Sequence, residues 1–153
     1  MKHPTVSAGS KTHRLQALRH LAWFRYRLRC FMRFSERVAR SCGITPQQHQ
    51  LLLGVAGYTG RGWATISELA EFLQGRHNAV VGLVQRAAER GLVQKAQGGK
   101  DRRFIKVSLT PRGHSILNRI SRENIAELRA LQFEITKTPQ PRPRDIPAAA
   151  GTE

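Results

Sequence analysis

Residues 76–85 read Arg-His-Asn-Ala-Val-Val-Gly-Leu-Val-Gln, and at helical spacing His77, Asn78, Val81, Gly82 and Gln85 leave one face while Val80, Leu83 and Val84 leave the other. The first face carries the groups that read nucleic-acid base edges. An asparagine such as Asn78 pairs bidentately with adenine, Arg76 or His77 can donate to guanine or to phosphate, and Val81 can touch a thymine methyl. Gly82 would let the backbone come close to a partner. A helix that enters the major groove reads bases from its N-terminal half, where these residues lie. A second group, Lys100, Arg102 and Arg103, falls in the loop Gln97-Gly98-Gly99-Lys100-Asp101-Arg102-Arg103, and arginine at the tip of such a loop suits a narrow minor groove.

Other chemistry is missing from the sequence. His3, His13, His20, His49, His77 and His114 are scattered, with no His-Glu-x-x-His, no Cys-x-x-Cys and no Gly-x-Ser-x-Gly. Gly98-Gly99-Lys100 lacks the further glycine and the hydroxyl of a phosphate-binding loop. The expectation is a non-enzyme without metal or cofactor. Against 10 acidic residues stand 26 Lys and Arg, a formal charge of +16 in 153 residues, which calls for a polyanionic partner. Nucleic acid answers that best, because each neutralised phosphate releases counterions; an anionic membrane is the rival. No stretch approaches the roughly twenty apolar residues of a bilayer span. Residues 1–12 lack the apolar run of a signal peptide, and Cys30 and Cys42 suit a reducing compartment, so a soluble cytoplasmic protein is expected, without membrane contact.

The elements that must position these groups follow from hydrophobic period. Residues 1–12 and the proline-rich 135–153 read as flexible or disordered tails. A first helix is expected from about Arg14 to Cys42, with Leu21, Phe24, Leu28, Phe31, Ser35, Val38 and Cys42 as its seam and Gly43 as its left-handed cap. Roughly 40 Å long, it outruns one small core, so part of the seam should face a second subunit. Thr45-Pro46 opens a second helix, with Leu51, Leu52, Leu53 and Val55 inward, interrupted at Gly57 and Gly60. Thr65-Ile66-Ser67-Glu68 is a capping box starting a short helix that buries Leu69, Ala70, Phe72 and Leu73. Gln74-Gly75 makes the turn into a helix from about Arg76 to Arg90, closed by Gly91. Strands over 92–96 and 104–109 form a hairpin, with Ile105, Val107 and Leu109 inward. Thr110-Pro111 opens a last helix to about Phe133, with Leu117, Ile120, Asn124, Leu128 and Leu131 on one stripe. The fold class is mainly α with a small β-wing: a winged helix-turn-helix over 45–109 between dimerisation helices over 13–44 and 110–134.

Asp101-Arg102-Arg103-Phe104-Ile105-Lys106-Val107-Ser108-Leu109-Thr110 resembles the Asp-x-Arg-x-x-x-Val-x-Leu-Thr signature of MarR-family regulators at all five fixed positions. The resemblance continues through Glu68-Leu69-Ala70, Glu89-Arg90-Gly91-Leu92-Val93 and Thr110-Pro111-Arg112-Gly113, over about residues 14–131. It implies a homodimer on a palindromic double-stranded DNA operator, acting as a transcriptional regulator, in the first instance a repressor. Asp101 and Arg103 would then brace the wing, and Arg102 would enter the minor groove. Family members often place Ser, Arg, Pro and Thr where this chain has Arg76, His77, Asn78 and Ala79, so the operator sequence is this chain's own.

The resemblance also implies a pocket for a small aromatic or anionic effector, for which Trp23, His49, Tyr58 and Trp63 are the candidate liners. Some relatives sense oxidants through a cysteine near the start of the first helix; the corresponding place here is near Leu21, which Cys30 does not occupy, and a thiol switch at Cys30 or Cys42 stays an open alternative. Arg25, Arg29, Arg33, Arg37 and Arg40 make a basic stripe beside the apolar seam, read first as a solvated flank, with a second nucleic-acid contact or an acidic partner as alternatives. The competing reading of the whole chain is a general nucleic-acid-binding or ribosome-associated basic module without base readout.

Overall fold

The structure, a computed structural model, describes residues 8–98 and 104–136, with side chains from 12 to 133. It divides into two units, Phe34–Ile125 and the helical stretches 8–33 and 126–136. Eight elements run α1 (Ala8–Ser41), α2 (Pro46–Leu53), β1 (Trp63–Thr65), α3 (Ile66–Phe72), α4 (His77–Glu89), β2 (Val93–Gln97), β3 (Ile105–Leu109) and α5 (Pro111–Thr136), with a π-helical turn at Gly54–Tyr58. This is the winged helix-turn-helix expected from the sequence. The first helix starts earlier than expected, at Ala8, because nothing after Pro4 interrupts it.

In the larger unit the core is built from Val38 and Ala39 of α1, Leu51 and Leu52 of α2, Leu69 of α3, Val80, Leu83, Val84 and Ala87 of α4, Val107 and Leu109 of β3, and Leu117 and Ile120 of α5. The longer helices contribute residues three or four apart, the spacing that puts an apolar stripe on one side. The sheet has the order β1-β3-β2, all antiparallel, with Ala64 opposite Val107 and Lys95 opposite Val107 on the other edge.

Three expectations change. Leu53 is 38% exposed, because three consecutive leucines at about 100° per residue cannot share one face, and the π turn that follows runs through Gly57 instead of stopping there. Ile105 is 44% exposed, because β3 buries its side chains only at Val107 and Leu109, where helices cover the sheet. Trp63–Thr65 forms a third strand, too short at three residues to give a period.

Helix ends follow local rules. Thr45 and Thr65 each accept from the backbone N–H three residues on, while Gln48 and Glu68 accept from the threonine N–H, two complete capping boxes. Between α3 and α4 the left-handed residue is Gln74 (φ 51°), not Gly75. The N–H of Gly75 bonds the Ala70 carbonyl at 2.9 Å and that of Gln74 bonds Glu71 at 3.1 Å, a Schellman closure normally finished by glycine. The Gln74 side chain donates to the Glu71 carbonyl at 2.7 Å, which offsets part of the backbone strain.

Candidate nucleic-acid interface

Helix α4 is two-faced. Val80, Leu83, Val84 and Ala87 are buried, whereas His77, Asn78, Val81 and Gln85 are exposed and Gly82 is half-buried. Arg76 is the N-cap residue, one position before the helix, and makes no side-chain cap. The first N–H groups of α4 therefore lack a side-chain acceptor from the cap, which leaves the positive end of the helix dipole open to an anion. A Cβ on Gly82 would meet only the Arg86 guanidinium, 3.2 Å away at the end of a flexible side chain.

Gln85 has a different setting from its neighbours. Its amide nitrogen donates to Glu89 at 2.9 Å, and its oxygen accepts from the Lys95 ammonium on β2. Both ends of the amide are thus engaged within the protein. Gln85 ties the exposed face of α4 to the hairpin, and its amide keeps a second N–H and a second lone pair. Lys100, Asp101, Arg102 and Arg103 lie outside the described residues.

The base of the hairpin is held by a cluster that the motifs of the sequence do not announce. The Arg61 guanidinium sits 3.8 Å from the Trp63 ring centroid, the Lys106 ammonium 4.4 Å, and Phe104 stacks on the same indole at 6.3 Å and 7°. Arg61 also bonds both carboxylate oxygens of Glu68, at 2.6 and 2.5 Å. The Thr65 N–H bonded to Glu68, together with Arg61, holds that carboxyl below its ordinary range. One acid so links the α3 capping box to the aromatic stack under β3.

Behind α4, Arg90 donates to the Gln48 side chain at 3.1 Å and to the Gly43 carbonyl at 2.7 Å, fixing the C-terminal end of α4 to the α1–α2 turn. A groove of about 460 Å3 runs along the opposite end of α4, lined among others by Gln50, Leu73, Asn78, Gly82 and Arg86.

Of the candidate effector liners, Tyr58 and Trp63 have partners within the protein, whereas Trp23 Nε1 and His49 Nε2 are buried without a hydrogen-bond partner among the described residues. His49 is 3% exposed, and burial lowers its pKa. Tyr58 donates to Glu71 at 3.0 Å, which raises its pKa, and packs against Phe72. Trp63 is covered as described, and Trp23 stacks on Tyr26 at 5.5 Å. None of these four lines the groove along α4. Among the described residues, no group of three or more His, Cys, Asp or Glu could hold a metal, and no helix is long and apolar enough to cross a membrane.

The sequence model of the MarR family matches residues 43–103. Of solved structures, a MarR family transcription regulator is similar at 25% identity over 82% of this chain and 80% of the other, with TM-score 0.66. NadR in complex with 4-hydroxyphenylacetate is similar at 20% identity, 87% and 85% coverage and TM-score 0.62. A mutant of MepR from S. aureus bound to an oligodeoxyribonucleotide is similar at 17%, 81% and 85%, and 0.60. A search of curated proteins by sequence gives no match.

Proposed function

We propose that this chain, whose residues 43–103 match the MarR family model, is a homodimeric regulator that recognises a palindromic duplex through α4 and the β2–β3 hairpin. The observation that carries this reading is the Gln85–Lys95 tie, which joins the exposed face of α4 to the hairpin so that both can address one duplex. Asn78 and Val81 would read bases, with Arg76 and His77 on guanine or phosphate beside the open N-terminus of α4. MepR, solved on an oligodeoxyribonucleotide, lends the reading support by shared fold.

Homodimerisation accounts for a second feature. Leu15, Leu18, Leu21, Phe24, Leu28 and Met32 of α1 are 38–57% exposed, a row of large apolar side chains that a lone subunit would leave in water. Covering the part of each that is exposed would contribute about 0.6–1.7 kcal/mol per side chain, that fraction of the full burial value. Response to a small aromatic or anionic effector is supported by the groove beside α4: its volume of about 460 Å3 suits a small ligand, and Asn78 and Gly82 line it, so an occupant would compete with base contact.

Selection of bound duplexes from a random pool, followed by titration of selected and unselected sequences at rising salt, tests the function. A regulator keeps its selected site after random duplex has dissociated. Equal loss of both would leave the general basic module as the better account, and the repressor role is read from transcription off the selected site.

A further inference from the structure

The distribution of charge does not follow the winged module. Helix α1 holds nine cationic residues, Lys11 and eight arginines, against the single acid Glu36, so half of the formal +16 lies in this one element. Residues 45–109, which include the reading helix and hairpin, hold nine against four.

Within α1, Arg25, Arg29, Arg33, Arg37 and Arg40 form a row in which all five are exposed. At 100° per residue the five fall in an arc of about 120°, and at 1.5 Å per residue they extend over roughly 22 Å. Leu21, Phe24, Leu28 and Met32 fall in a separate neighbouring arc of about 80°. Glu36 lies 3.5 Å from Arg40, and among the described residues no carboxylate lies within ion-pair distance of Arg25, Arg29, Arg33 or Arg37. A solvated flank in a helix ordinarily interleaves both signs at three and four residue steps, which lowers self-repulsion. Here Arg25, Arg29, Arg33 and Arg37 repeat like charge at four-residue steps with Glu36 as the one acid among them, a destabilising pattern that an opposing polyanion would compensate.

We infer that this arginine row is a second duplex-DNA docking surface, one that grips phosphates without reading bases. A duplex presents one negative charge per about 1.7 Å of its axis, so the row meets an uninterrupted line of acceptors along its whole length. The cations are all arginine, whose planar fork bonds a phosphate through two parallel N–H groups and is less strongly hydrated than ammonium. An anionic membrane would suit a helix whose cations border both sides of an apolar face. From Leu21 to Arg40 five cations border the apolar arc on one side, against the single half-buried Arg27 on the other. The surface would add affinity and salt dependence to every duplex, selected or random.

The test uses the full chain with Arg29→Gln, Arg33→Gln and Arg37→Gln together, titrated against a selected and a random duplex across salt. The slope of log affinity against log salt should fall by about 0.9 for each phosphate that is no longer neutralised, thus by two to three per chain, on both duplexes. The ratio between the two duplexes should stay as in the parent, which separates this surface from the base readout assigned to α4. Should the triple variant lose helicity or its oligomeric mass, Arg33→Gln alone should lower the slope by about 0.9. An unchanged slope in the folded variant overturns the inference. So does an unchanged slope with loss of binding to phosphatidylglycerol vesicles, which would assign the row to a membrane surface.

Discussion

A side chain on Gly113 would place its Cβ 2.0 Å from the carbonyl oxygen of Leu92. That oxygen already accepts from the Thr110 N–H at 3.1 Å, while the Thr110 hydroxyl donates to Gly91 at 2.6 Å and accepts from the Gly113 N–H at 3.0 Å. The start of α5 is thereby clamped onto the turn between α4 and β2. Thr110 supplies the clamp, and Gly113 supplies the space for it.

Gly113→Ala should therefore be among the most damaging single substitutions in the chain. The obstructing atom is backbone, so relief requires α5 or the turn to move, and the expected loss is about 3 kcal/mol or more. Urea denaturation followed by circular dichroism measures it. A loss under about 1 kcal/mol would show that α5 is not held this closely.

Gln74→Gly should act in the opposite direction. A non-glycine residue at φ 51° carries backbone strain that glycine does not, so stability should rise by about 0.5–1 kcal/mol, less the side-chain bond to Glu71 that the variant gives up. The midpoint of thermal unfolding should move up by a few degrees, with DNA binding unaffected, since the exposed face of α4 does not include this residue.

His49 makes stability depend on pH. Burial lowers its pKa in the folded chain, so from about pH 6.5 downward the unfolded chain takes up a proton that the folded chain refuses. Stability is complete above that pH and is lost as pH falls from the unfolded pKa toward the folded one, by at most about 1.4 kcal/mol per pH unit. In His49→Gln the dependence between about pH 7.5 and 5.5 should flatten. If the variant keeps the full dependence, another group is its source.

Asn78→Ala and Gln85→Ala should fail in different ways. The first removes a base-reading amide and should relax preference at one base position by about 1–3 kcal/mol. The second removes the tie to Lys95, and should weaken selected and random duplexes alike by about 0.5–1.5 kcal/mol. A base-specific loss from Gln85→Ala would mean that its remaining N–H or lone pair meets a base edge.

The elements with strong local signals were legible in the sequence. The period of Val80, Leu83, Val84 and Ala87, the threonine caps at 45, 65 and 110, the glycines after α1 and α4 and the alternation of Val107 and Leu109 each depend on residues within a few positions, so the winged helix-turn-helix could be read from them. The Thr110-Pro111-Arg112-Gly113 motif was legible as a helix start, but its glycine has a reason only in space, since Leu92 lies far away in sequence.

What the tertiary structure alone decided are the pairings between distant segments. Gln85 and Asn78 lie on the same helix face with equal claim to a base, and only the arrival of Lys95 from β2 distinguishes them. Tyr58, Trp63 and His49 looked alike in the sequence, and only the fold gives Tyr58 a bond to Glu71, covers Trp63 with Arg61 and buries His49 with Nε2 unpartnered. Periodicity says which face of an element turns inward, because that is a local property of backbone geometry. Which side chain meets which across the fold depends on how the elements pack, and that information is spread over the whole chain.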